Sequence, residues 1–510
     1  MKRALISVYD KEGIVEFAKE LADLGWEIIS TGGTWKTLKD KGLNPIEIEE
    51  VTDFPEILDG RVKTLNPMIH GGILYRRDSN QHRDTIDEMN ILSIDMIVNN
   101  LYPYEETIKK AGVESEEIIE NIDIGGPSMI RAGAKNYRDV TVIIDPADYS
   151  MVIEELKENQ STSIETRQYL ARKVFNYTAY YDTLISNYFN KIEGVDFPEQ
   201  MTMAYKGKRE LRYGENPHQA ASFYEEVLDS EGNLKDAKQL HGKELSFNNI
   251  NDANGALEAL KEFEEPTVVG VKHANPSGIG SADNIEDAYD KAYECDPSSI
   301  FGGIIAANRE IGSKIAEKIN SIFIEIVMAP SYSREAVEIL SQKKNIRILQ
   351  IDNIENNKYD EMNIKKVLGG ILIQERDSIL LESEIETVTD KKPTREDVDN
   401  LLFAWKAAKT VKSNGVVIAK DMATIGIGLG EVNRSWAVEN AVNRAGQGVK
   451  GAYLASDGFF PFKDSIEILG KAGIKGIIQP GGSIKDQEVI DEANKHGIIM
   501  CFTAMRHFKH

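Results

Sequence analysis

Apolar residues along the chain follow two spacings, one typical of buried strands and one typical of amphipathic helices. Short apolar runs predict strands at residues 3–9, 26–29, 96–102 and 139–145. Between the first two runs, apolar residues recur at helical spacing and predict a helix that ends at Gly25: Ile14, Phe17, Ala18, Leu21 and Leu24. Strands that alternate with helices indicate a parallel, doubly wound sheet and therefore an α/β fold.

A longer helical pattern, rich in tyrosine, covers residues 162–192. An aromatic stripe at this spacing packs in a core or an interface far more often than it binds a cofactor. We interpret this helix as the end of a first domain, because Gly194, Pro198 and polar residues follow it. The sequence therefore predicts two domains, at residues 1–198 and 199–510.

The second domain contains a faint internal repeat. Residues 268–272 resemble residues 416–420, and residues 303–308 resemble residues 451–456, both at an offset of 148. Two matches at one offset predict a duplicated α/β unit, at about 199–375 and 376–510, although apolar strands can also resemble each other by chance. The polar stretch 341–363 between the halves is predicted to be a surface excursion.

The net charge narrows the choice of partners. The chain has 510 residues and a formal charge of −23, which argues against a nucleic acid or an anionic membrane as partner. Anionic substrates then need locally basic pockets. Cys295 and Cys501 are too few for a disulfide framework and too scattered for zinc, and no run reaches membrane-spanning length. A cytoplasmic protein is expected, because nothing resembles a signal peptide.

The segment 266–278 places reactive side chains at the end of a buried strand. An apolar run stops at Lys272 and His273, and a turn rich in Asn, Pro, Ser and Gly follows. Histidine can transfer a proton near neutral pH, and an ammonium can hold a developing negative charge. The alternative is that both residues are simply solvated at a strand exit.

Two glycine-rich turns are candidates for anion binding. Residues 31–34 (TGGT) lie between a strand and a helix, where backbone amides and the helix N-terminus favour a phosphate, and the cations Arg61 and Lys63 strengthen that interpretation. Residues 123–128 (DIGGPS) precede a helix on which Arg131 and Lys135 share a face. Each turn can equally be an ordinary turn or helix cap. Residues 426–430 (GIGLG) lack the full dinucleotide spacing, so a nicotinamide dehydrogenase is disfavoured.

Motifs in order along the whole chain resemble the bifunctional purine-biosynthesis proteins that join AICAR formyltransferase to IMP cyclohydrolase. They include STGGT at 30–34, GRVKTLNP at 60–67, IDIGGPSMIRAGAKN at 122–136, LRYGENPHQ at 211–219, VKHANPSG at 271–278, VKSNGVVIAKD at 411–421, SDGFFPF at 456–462 and TAMRHFKH at 503–510. The resemblance implies formyl transfer from 10-formyltetrahydrofolate to AICAR, followed by dehydrative closure of the product FAICAR to IMP.

The resemblance also implies roles for residues in the second domain. His273 matches the base that removes a proton from the AICAR amine, and Lys272 matches a cation that steadies the oxyanion or protonates the departing folate nitrogen. Asn414 matches the amide that orients the formyl oxygen, and His218 matches a histidine near the reacting atoms. Positions that match nucleotide or folate contacts are Arg212, Tyr213, Asn249, Phe301, Arg434, Asp457 and Arg506.

For ring closure, the resemblance implies a site in the first domain. The reaction-centre matches are Lys63, Tyr102, Asp123 and Lys135. The nucleotide-binding matches are Ser7, Lys11, Thr31, Gly32, Gly33, Thr34, Arg61 and Thr64. The first domain is expected to resemble methylglyoxal synthase, and the second to contain two cytidine-deaminase-like units without a metal, in a homodimer.

The chain departs from the family pattern in three places. Asn66 stands where histidine is usual, and Gly133 replaces a usual alanine, which is expected to loosen its helix by about 1 kcal/mol. Both departures are expected to affect the cyclohydrolase rate. Glu431 stands where glutamine is common and is expected to affect folate or nucleotide affinity. The alternative function is a nucleotide-sensing regulatory module fused to a metal-free, deaminase-like binding domain.

Overall fold

A computed structural model describes residues 1–227, 231–355 and 362–510 of the chain. The chain forms two compact units. The first unit contains Met1–Lys206 together with Glu226 and Val227, and the second contains Gly207–Glu225 and the described residues from 231 onward. The domain bounds given from the sequence stay a prediction, because compactness alone does not assign a function to either unit.

A parallel sheet forms the centre of the first unit, and its order is β3-β2-β1-β4-β5. Its strands are β1 (Arg3–Val8), β2 (Glu27–Ser30), β3 (Ile46–Glu47), β4 (Met96–Asn100) and β5 (Thr141–Ile143). The sheet confirms the predicted parallel α/β fold, although β4 and β5 are shorter than the predicted runs. Most residues of β1 and β4 are buried, as expected of parallel strands covered on both faces.

Helices cover both faces of this sheet. They are α1 (Ile14–Asp23), α2 (Gly32–Asp40), α3 (Ile48–Thr52), α4 (Pro67–Leu74), α5 (Asn80–Glu88), α6 (Tyr104–Lys109), α7 (Ser115–Glu120), α8 (Gly125–Lys135), α9 (Tyr149–Asn159) and α10 (Ile164–Glu193), with 3₁₀ turns at Leu58–Gly60 and Pro146–Asp148. The tyrosine-rich helix α10 packs on α8 and β5, and it buries Val174 and Tyr181 in the core. This packing agrees with the core role inferred for its aromatic stripe.

In residues 231–355 and 362–510, twelve strands form one mixed sheet in the order β16-β21-β20-β19-β17-β18-β10-β9-β11-β12-β13-β8. Its strands are β8 (Lys238–His241), β9 (Thr267–Lys272), β10 (Asn275–Ser281), β11 (Ile304–Ala307), β12 (Ile326–Ala329), β13 (Arg347–Gln350), β16 (Glu386–Thr387), β17 (Val416–Lys420), β18 (Ala423–Gly428), β19 (Tyr453–Ser456), β20 (Gly476–Gln479) and β21 (Ile499–Phe502). Two separate hairpins pair β6 (Tyr205–Leu211) with β7 (Ala221–Glu226), and β14 (Met362–Val367) with β15 (Gly370–Glu375).

The helices of this part are α11 (Phe247–Leu260), α12 (Ile285–Cys295), α13 (Ser313–Ser321), α14 (Arg334–Leu340), α15 (Arg395–Lys409), α16 (Arg434–Ala445), α17 (Asp464–Ala472) and α18 (Asp486–Lys495), with a 3₁₀ turn at Gly446–Val449. Helices α11 and α15 contribute to one core on one face of the sheet. Two smaller cores lie under α12–α14 and under α16–α18.

The strand order reads as two copies of one unit that meet at β10 and β18. The central pairing is antiparallel, with Gly280 opposite Ala423, and the amide of Ile279 donates to Thr424 Oγ1 at 2.8 Å. Each copy continues outward through the same succession of strands, which is the duplication that the sequence predicts. The predicted match of residues 303–308 with residues 451–456 has an offset that is one residue too small. Sheet register pairs Val271 with Ile304 and Ala419 with Tyr453, so the offset at these outer strands is 149.

The prediction of a surface excursion at 341–363 is wrong where the structure describes it. Strand β13 runs through this stretch beside β12, and Ile348 and Leu349 are buried. The Asn- and Lys-rich composition concealed a four-residue buried strand between polar turns. Residues 356–361 of the stretch lie outside the described residues.

The GIGLG segment is a packing feature. Gly426 and Gly428 belong to β18 and face α16, and a Cβ at Gly428 would lie 2.0 Å from the carbonyl oxygen of Ala437. The glycines therefore allow the helix to lie directly on the strand. This packing fixes the segment that leads into Glu431 and Arg434.

We expect Gly428→Ala to destabilise the second unit by about 1–3 kcal/mol, because the added methyl overlaps main-chain atoms that cannot rotate away. Gly370→Ala is the matched control, because nothing lies within 4 Å of the Cβ position at Gly370. Urea denaturation followed by circular dichroism measures both. Equal midpoints for the two variants would contradict this account of the helix–strand contact.

Candidate active sites

A cavity of about 660 Å³ opens at the carboxyl ends of β1, β2 and β4 in the first unit. Ligands of parallel α/β sheets bind at this edge. Ten of the residues predicted from the sequence line the cavity: Ser7, Lys11, Thr31, Gly33, Thr34, Arg61, Lys63, Thr64, Tyr102 and Asp123. Segments that are distant in sequence thus meet at one site.

The floor of this cavity is suited to an anion. Helix α2 begins at Gly32. Its N-cap Thr31 makes no side-chain capping bond, and its hydroxyl is hydrogen-bonded to the hydroxyl of Ser7 at 2.8 Å. The first amides of α2 remain available for a ligand. The Cβ positions at Gly32 and Gly33 would lie 3.9 Å from Lys63 Nζ and 4.0 Å from Lys11 Nζ. Two ammonium groups therefore flank a helix N-terminus, which is the chemistry that holds a phosphate.

Asp123 lines the same cavity. The amide of Gly126 donates to its carboxylate at 2.8 Å, and the amide of Asp123 itself donates to the hydroxyl of Tyr181 at 2.8 Å. Burial raises the pKa of Asp123, while the Gly126 amide and the charge of Lys63 oppose that rise. A carboxyl with a raised pKa facing an ammonium is suited to proton transfer.

Arg61 is a predicted nucleotide contact whose charge is paired with a carboxylate. Its guanidinium forms an ion pair with Glu120, which also lines the cavity. Thr64 contacts the start of α8, where a Cβ at Gly125 would lie 2.6 Å from its hydroxyl. The glycines of the DIGG segment thus allow α8 to close this wall.

The sequence interpretation did not single out Asn99 and Asn100, which also line the cavity. Asn99 Nδ2 donates to the carbonyl of Ser7 at 2.5 Å, and Asn100 Oδ1 accepts from the amides of Tyr9 and Asp10. The two asparagines fix the segment that carries Ser7 and Lys11. Two polar residues follow the apolar part of β4, just as Lys272 and His273 follow the apolar part of β9.

Lys135, predicted to belong to the reaction centre, lies at the end of α8 and lines another cavity, of about 740 Å³. Arg131 and Asn66 line the same cavity. Asn66 caps α4 by accepting from the amide of Met68 at 2.8 Å, which explains an amide where the family usually has histidine. The part assigned to Lys135 in ring closure stays a prediction.

Gly133 does more than loosen its helix. A Cβ there would lie 2.6 Å from Ile97 Cδ1 and from Val142 Cγ2. The glycine therefore lets α8 approach β4 and β5, so its conformational cost is offset by close packing. In this chain an alanine would require both neighbours to move.

The second site begins where β9 ends. Lys272 Nζ donates to the carbonyl of Phe301 at 2.8 Å, and His273 is exposed in the turn to β10. Nearby, Asn249 Nδ2 donates to Glu325 Oε2 at 2.8 Å. Lysine, histidine, phenylalanine and asparagine positions predicted for nucleotide or reaction chemistry therefore lie around one strand end.

A buried network orients Asn414 beside β17. Arg434 donates to Asn414 Oδ1 at 2.7 Å, and Asn414 Nδ2 donates to the carbonyl of Glu431 at 2.8 Å. Arg434 also forms a 2.5 Å ion pair with Asp457, and their side chains are only 7% and 0% exposed. Arg434 and Asp457, predicted as ligand contacts, are thus bonded within the protein and hold the amide of Asn414 in one orientation.

The Glu431 departure is accounted for by this network. Asn414 uses the main-chain carbonyl of Glu431, whereas the carboxylate accepts from Asn440 at 2.7 Å. The side chain at position 431 therefore does not set the orientation of Asn414.

Topology brings the two strand ends to the same edge of the sheet. The pairings β9–β10, β10–β18 and β17–β18 are all antiparallel, so the end of β9 and the start of β17 face the same way. The His273 turn joins β9 to β10 and Asn414 precedes β17 next to β18. Three strand spacings, or about 14 Å, separate β9 from β17 in the order of the sheet.

The remaining predicted residues lie on loops of the second unit. Arg212 lies 5.4 Å from the ring centre of Tyr213, and Arg506 lies 4.6 Å from that of Phe508. His218 is exposed in a turn closed by the 2.6 Å bond from the amide of Gly214 to the carbonyl of Gln219. The C-terminal segment reaches the Asn414 network, since the amide of His507 donates to the carbonyl of Asp457.

Among residues 1–227, 231–355 and 362–510, no three His, Cys, Asp or Glu side chains are arranged to hold a metal ion. In the same part of the chain, no helix combines the length and the apolar character needed to cross a membrane.

Comparison with known proteins identifies both parts of the chain. Residues 133–444 match the model of the AICARFT/IMPCHase bienzyme family, and residues 13–128 match that of the MGS-like domain. The bifunctional purine biosynthesis proteins PurH of Caldicellulosiruptor saccharolyticus, Acetivibrio thermocellus and Ruminiclostridium cellulolyticum are 55%, 57% and 56% identical to the chain, each over 100% of both sequences.

An MGS-like parallel sheet with an anion cavity, followed by a duplicated sheet with a Lys–His pair, defines a bifunctional enzyme of nucleotide metabolism. The chain belongs to the AICARFT/IMPCHase bienzyme family. It has the AICAR formyltransferase and IMP cyclohydrolase activities of purine biosynthesis.

We expect Arg434→Met to destabilise the second unit by about 3–5 kcal/mol, because it leaves the carboxylate of Asp457 buried and unpaired. Arg334→Met removes an ion pair with Glu338 that is largely exposed, and it should change stability by less than about 1 kcal/mol. Urea midpoints of the two variants test the difference. A loss at Arg434 no larger than that at Arg334 would show that the buried pair is not needed for stability.

Proposed function

We propose that the first unit closes FAICAR to IMP and that the second unit transfers the formyl group from 10-formyltetrahydrofolate to AICAR. The observation that carries this assignment is the common sheet edge shared by Lys272, His273 and the oriented amide of Asn414. The anion cavity of the first unit supports the complementary assignment, because its substrate is a nucleotide.

In ring closure, the two reacting groups belong to one molecule. Seating the phosphate on α2 and its flanking ammonium groups holds the formamide against the carboxamide, which supplies much of the rate. We assign Asp123 to accept the proton of the attacking carboxamide nitrogen and Lys63 to hold the negative oxygen of the former formyl group. That oxygen leaves as water with the proton taken from the carboxamide nitrogen and the proton of the formamide nitrogen, as the new carbon–nitrogen double bond forms. The raised pKa of Asp123 and its proximity to Lys63 support these roles.

In formyl transfer, the weakly nucleophilic amine of AICAR attacks the formyl carbon. His273 takes the amine proton as the carbon–nitrogen bond forms, and Lys272 stabilises the oxyanion or protonates the departing folate nitrogen. Asn414 presents its amide to the formyl oxygen, and Arg434 with the Glu431 carbonyl fixes its orientation. Lys272 keeps donors for this role, because Phe301 occupies only one of its three.

The exposed strand-end histidine also argues against the regulatory alternative, because a binding module has no need of a base at that position. Incubating the purified chain with AICAR and 10-formyltetrahydrofolate separates the two functions. The appearance of IMP in the absorbance spectrum indicates the enzyme, whereas binding without turnover indicates the sensor.

The proposal also covers the binding partners, the cellular location and the oligomeric state of the protein. The small-molecule partners are AICAR, FAICAR and the formyl-folate, with no nucleic acid and no membrane. The protein acts without a catalytic metal, as a cytoplasmic homodimer.

We expect His273→Ala to lower the rate of formyl transfer by about 100-fold or more, because no other group takes the amine proton. Cyclisation of supplied FAICAR should stay within about twofold of the wild-type rate. Both rates are measured by absorbance on protein whose circular dichroism is unchanged. Loss of both activities in the folded variant would contradict two separate sites.

We expect Lys63→Ala to have the opposite effect from His273→Ala, lowering the rate of cyclisation and not that of formyl transfer. Cyclisation should fall by about 100-fold, because the ammonium that faces Asp123 and the phosphate site is gone, while formyl transfer to AICAR continues. Lys36→Ala, on the exposed face of α2, is the control and should leave both rates unchanged. Undiminished cyclisation in Lys63→Ala would refute the role given to this lysine.

A further inference from the structure

The turn that carries His273 has an unusual backbone. His273 and Ala274 have φ values of 54° and 55°, the left-handed pair of a two-residue hairpin turn that usually contains Asn or Gly. Helix α11 packs against this turn, since a Cβ at Gly255 would lie 3.0 Å from Ala274 Cα. The turn is therefore held from outside by the helix.

Asp252 precedes Gly255 by three residues and lies on the same face of α11. Its carboxylate lies close enough to the main-chain amides of Ala274 and His273 for both amides to act on its pKa. Burial raises the pKa of Asp252, and the charge of His273 and the two amides oppose that rise. The carboxylate thus faces both the backbone and the imidazole of the residue proposed as the base.

The second copy of the repeat has an equivalent side chain at the equivalent turn, but it is an amide and not a carboxylate. Asn400 lies on α15, 148 residues after Asp252, and its Oδ1 accepts the amide of Met422 at 3.2 Å. Asp421 and Met422, with φ values of 52° and 58°, form the equivalent turn.

The two helices are in register. Capping boxes begin α11 at Ser246 with Asn249, and α15 at Thr394 with Asp397, again at an offset of 148. The comparison shows that a neutral amide is enough to hold this turn. The turn in the other copy is held without a negative charge, so the charge of Asp252 is not needed to hold the turn. This charge occurs in the copy whose turn begins with histidine.

We propose that Asp252 is a positioning residue for formyl transfer, which fixes the His273 turn and stabilises the imidazolium that forms when His273 takes the amine proton. This inference rests on the proposed role of His273 as the base. The proton moves from the AICAR amine to the imidazole as the carbon–nitrogen bond forms, and Asp252 takes no proton. The arrangement corresponds to a carboxylate that supports a catalytic histidine.

Among the described residues, the charged side chains near Asp252 and His273 are those of Lys272, Glu325 and Arg347. Lys272 adjoins His273 on β9 and donates to Phe301. Glu325, just before β12, acts on Asp252 as a like charge and is held by Asn249 and by Arg347 at 3.7 Å. Asp252 lies on α11, the helix that packs against the turn.

The test is Asp252→Asn, which keeps the acceptor and the shape, as Asn400 does naturally, and removes the charge. The kcat of formyl transfer should fall by about tenfold, with the KM for AICAR and the cyclisation rate within about twofold of wild type. The acidic limb of the kcat/KM profile should move to lower pH, because the protonated imidazole loses its partner. A purely structural role of Asp252 would move neither quantity.

Asn400→Ala is the matched control, because it removes the turn acceptor in the other copy and should leave formyl transfer unchanged. Asp252→Asn combined with His273→Ala completes a double-mutant cycle, in which the change at 252 should have no further effect once the imidazole is absent. A wild-type rate and pH profile for Asp252→Asn, or an equal loss in both backgrounds, overturns this inference. Undiminished formyl transfer in His273→Ala instead overturns the proposed base.

Discussion

The antiparallel contact between β10 and β18 is the constraint on which the second unit depends. Gly280 opposite Ala423, with the bond from Ile279 to Thr424, joins two copies of one fold into a single twelve-stranded sheet. Because the neighbouring pairings are also antiparallel, the end of β9 and the start of β17 lie at one edge. His273 from one copy and the oriented amide of Asn414 from the other therefore lie toward the same edge of the sheet.

The two units hold their polar groups in related ways. In the first unit, main-chain pairing of buried parallel strands fixes Ser7 and Asn100 at the ligand edge, and asparagine amides brace the following segment. In the second, a fully buried arginine–aspartate pair braces Asn414. In both, reactive groups emerge from rigid strands, and bonds from neighbouring side chains restrict their orientation.

The sequence predicts much of this arrangement. The apolar runs predict the parallel sheet, and the apolar run that stops at Lys272 and His273 predicts the end of β9. The exact repeat offset at β11 and the buried strand β13 are missed, because short apolar runs among polar residues do not reveal register. Asp252 is missed because its placement depends on a helix packing against a turn. Arg434 is named from the family resemblance, but the sequence does not show that its guanidinium points inward to Asp457 and Asn414.

The spacing between the two copies is not uniform along the sheet. The ends of β9 and β17 are 148 residues apart, those of β11 and β19 149, those of β12 and β20 150, and those of β13 and β21 152. From the helix caps to the hairpin turns, the two copies keep the single offset of 148. The segment that leads from α11 to the His273 turn is therefore as long as its counterpart in the other copy, and the differences in length lie toward the outer strands.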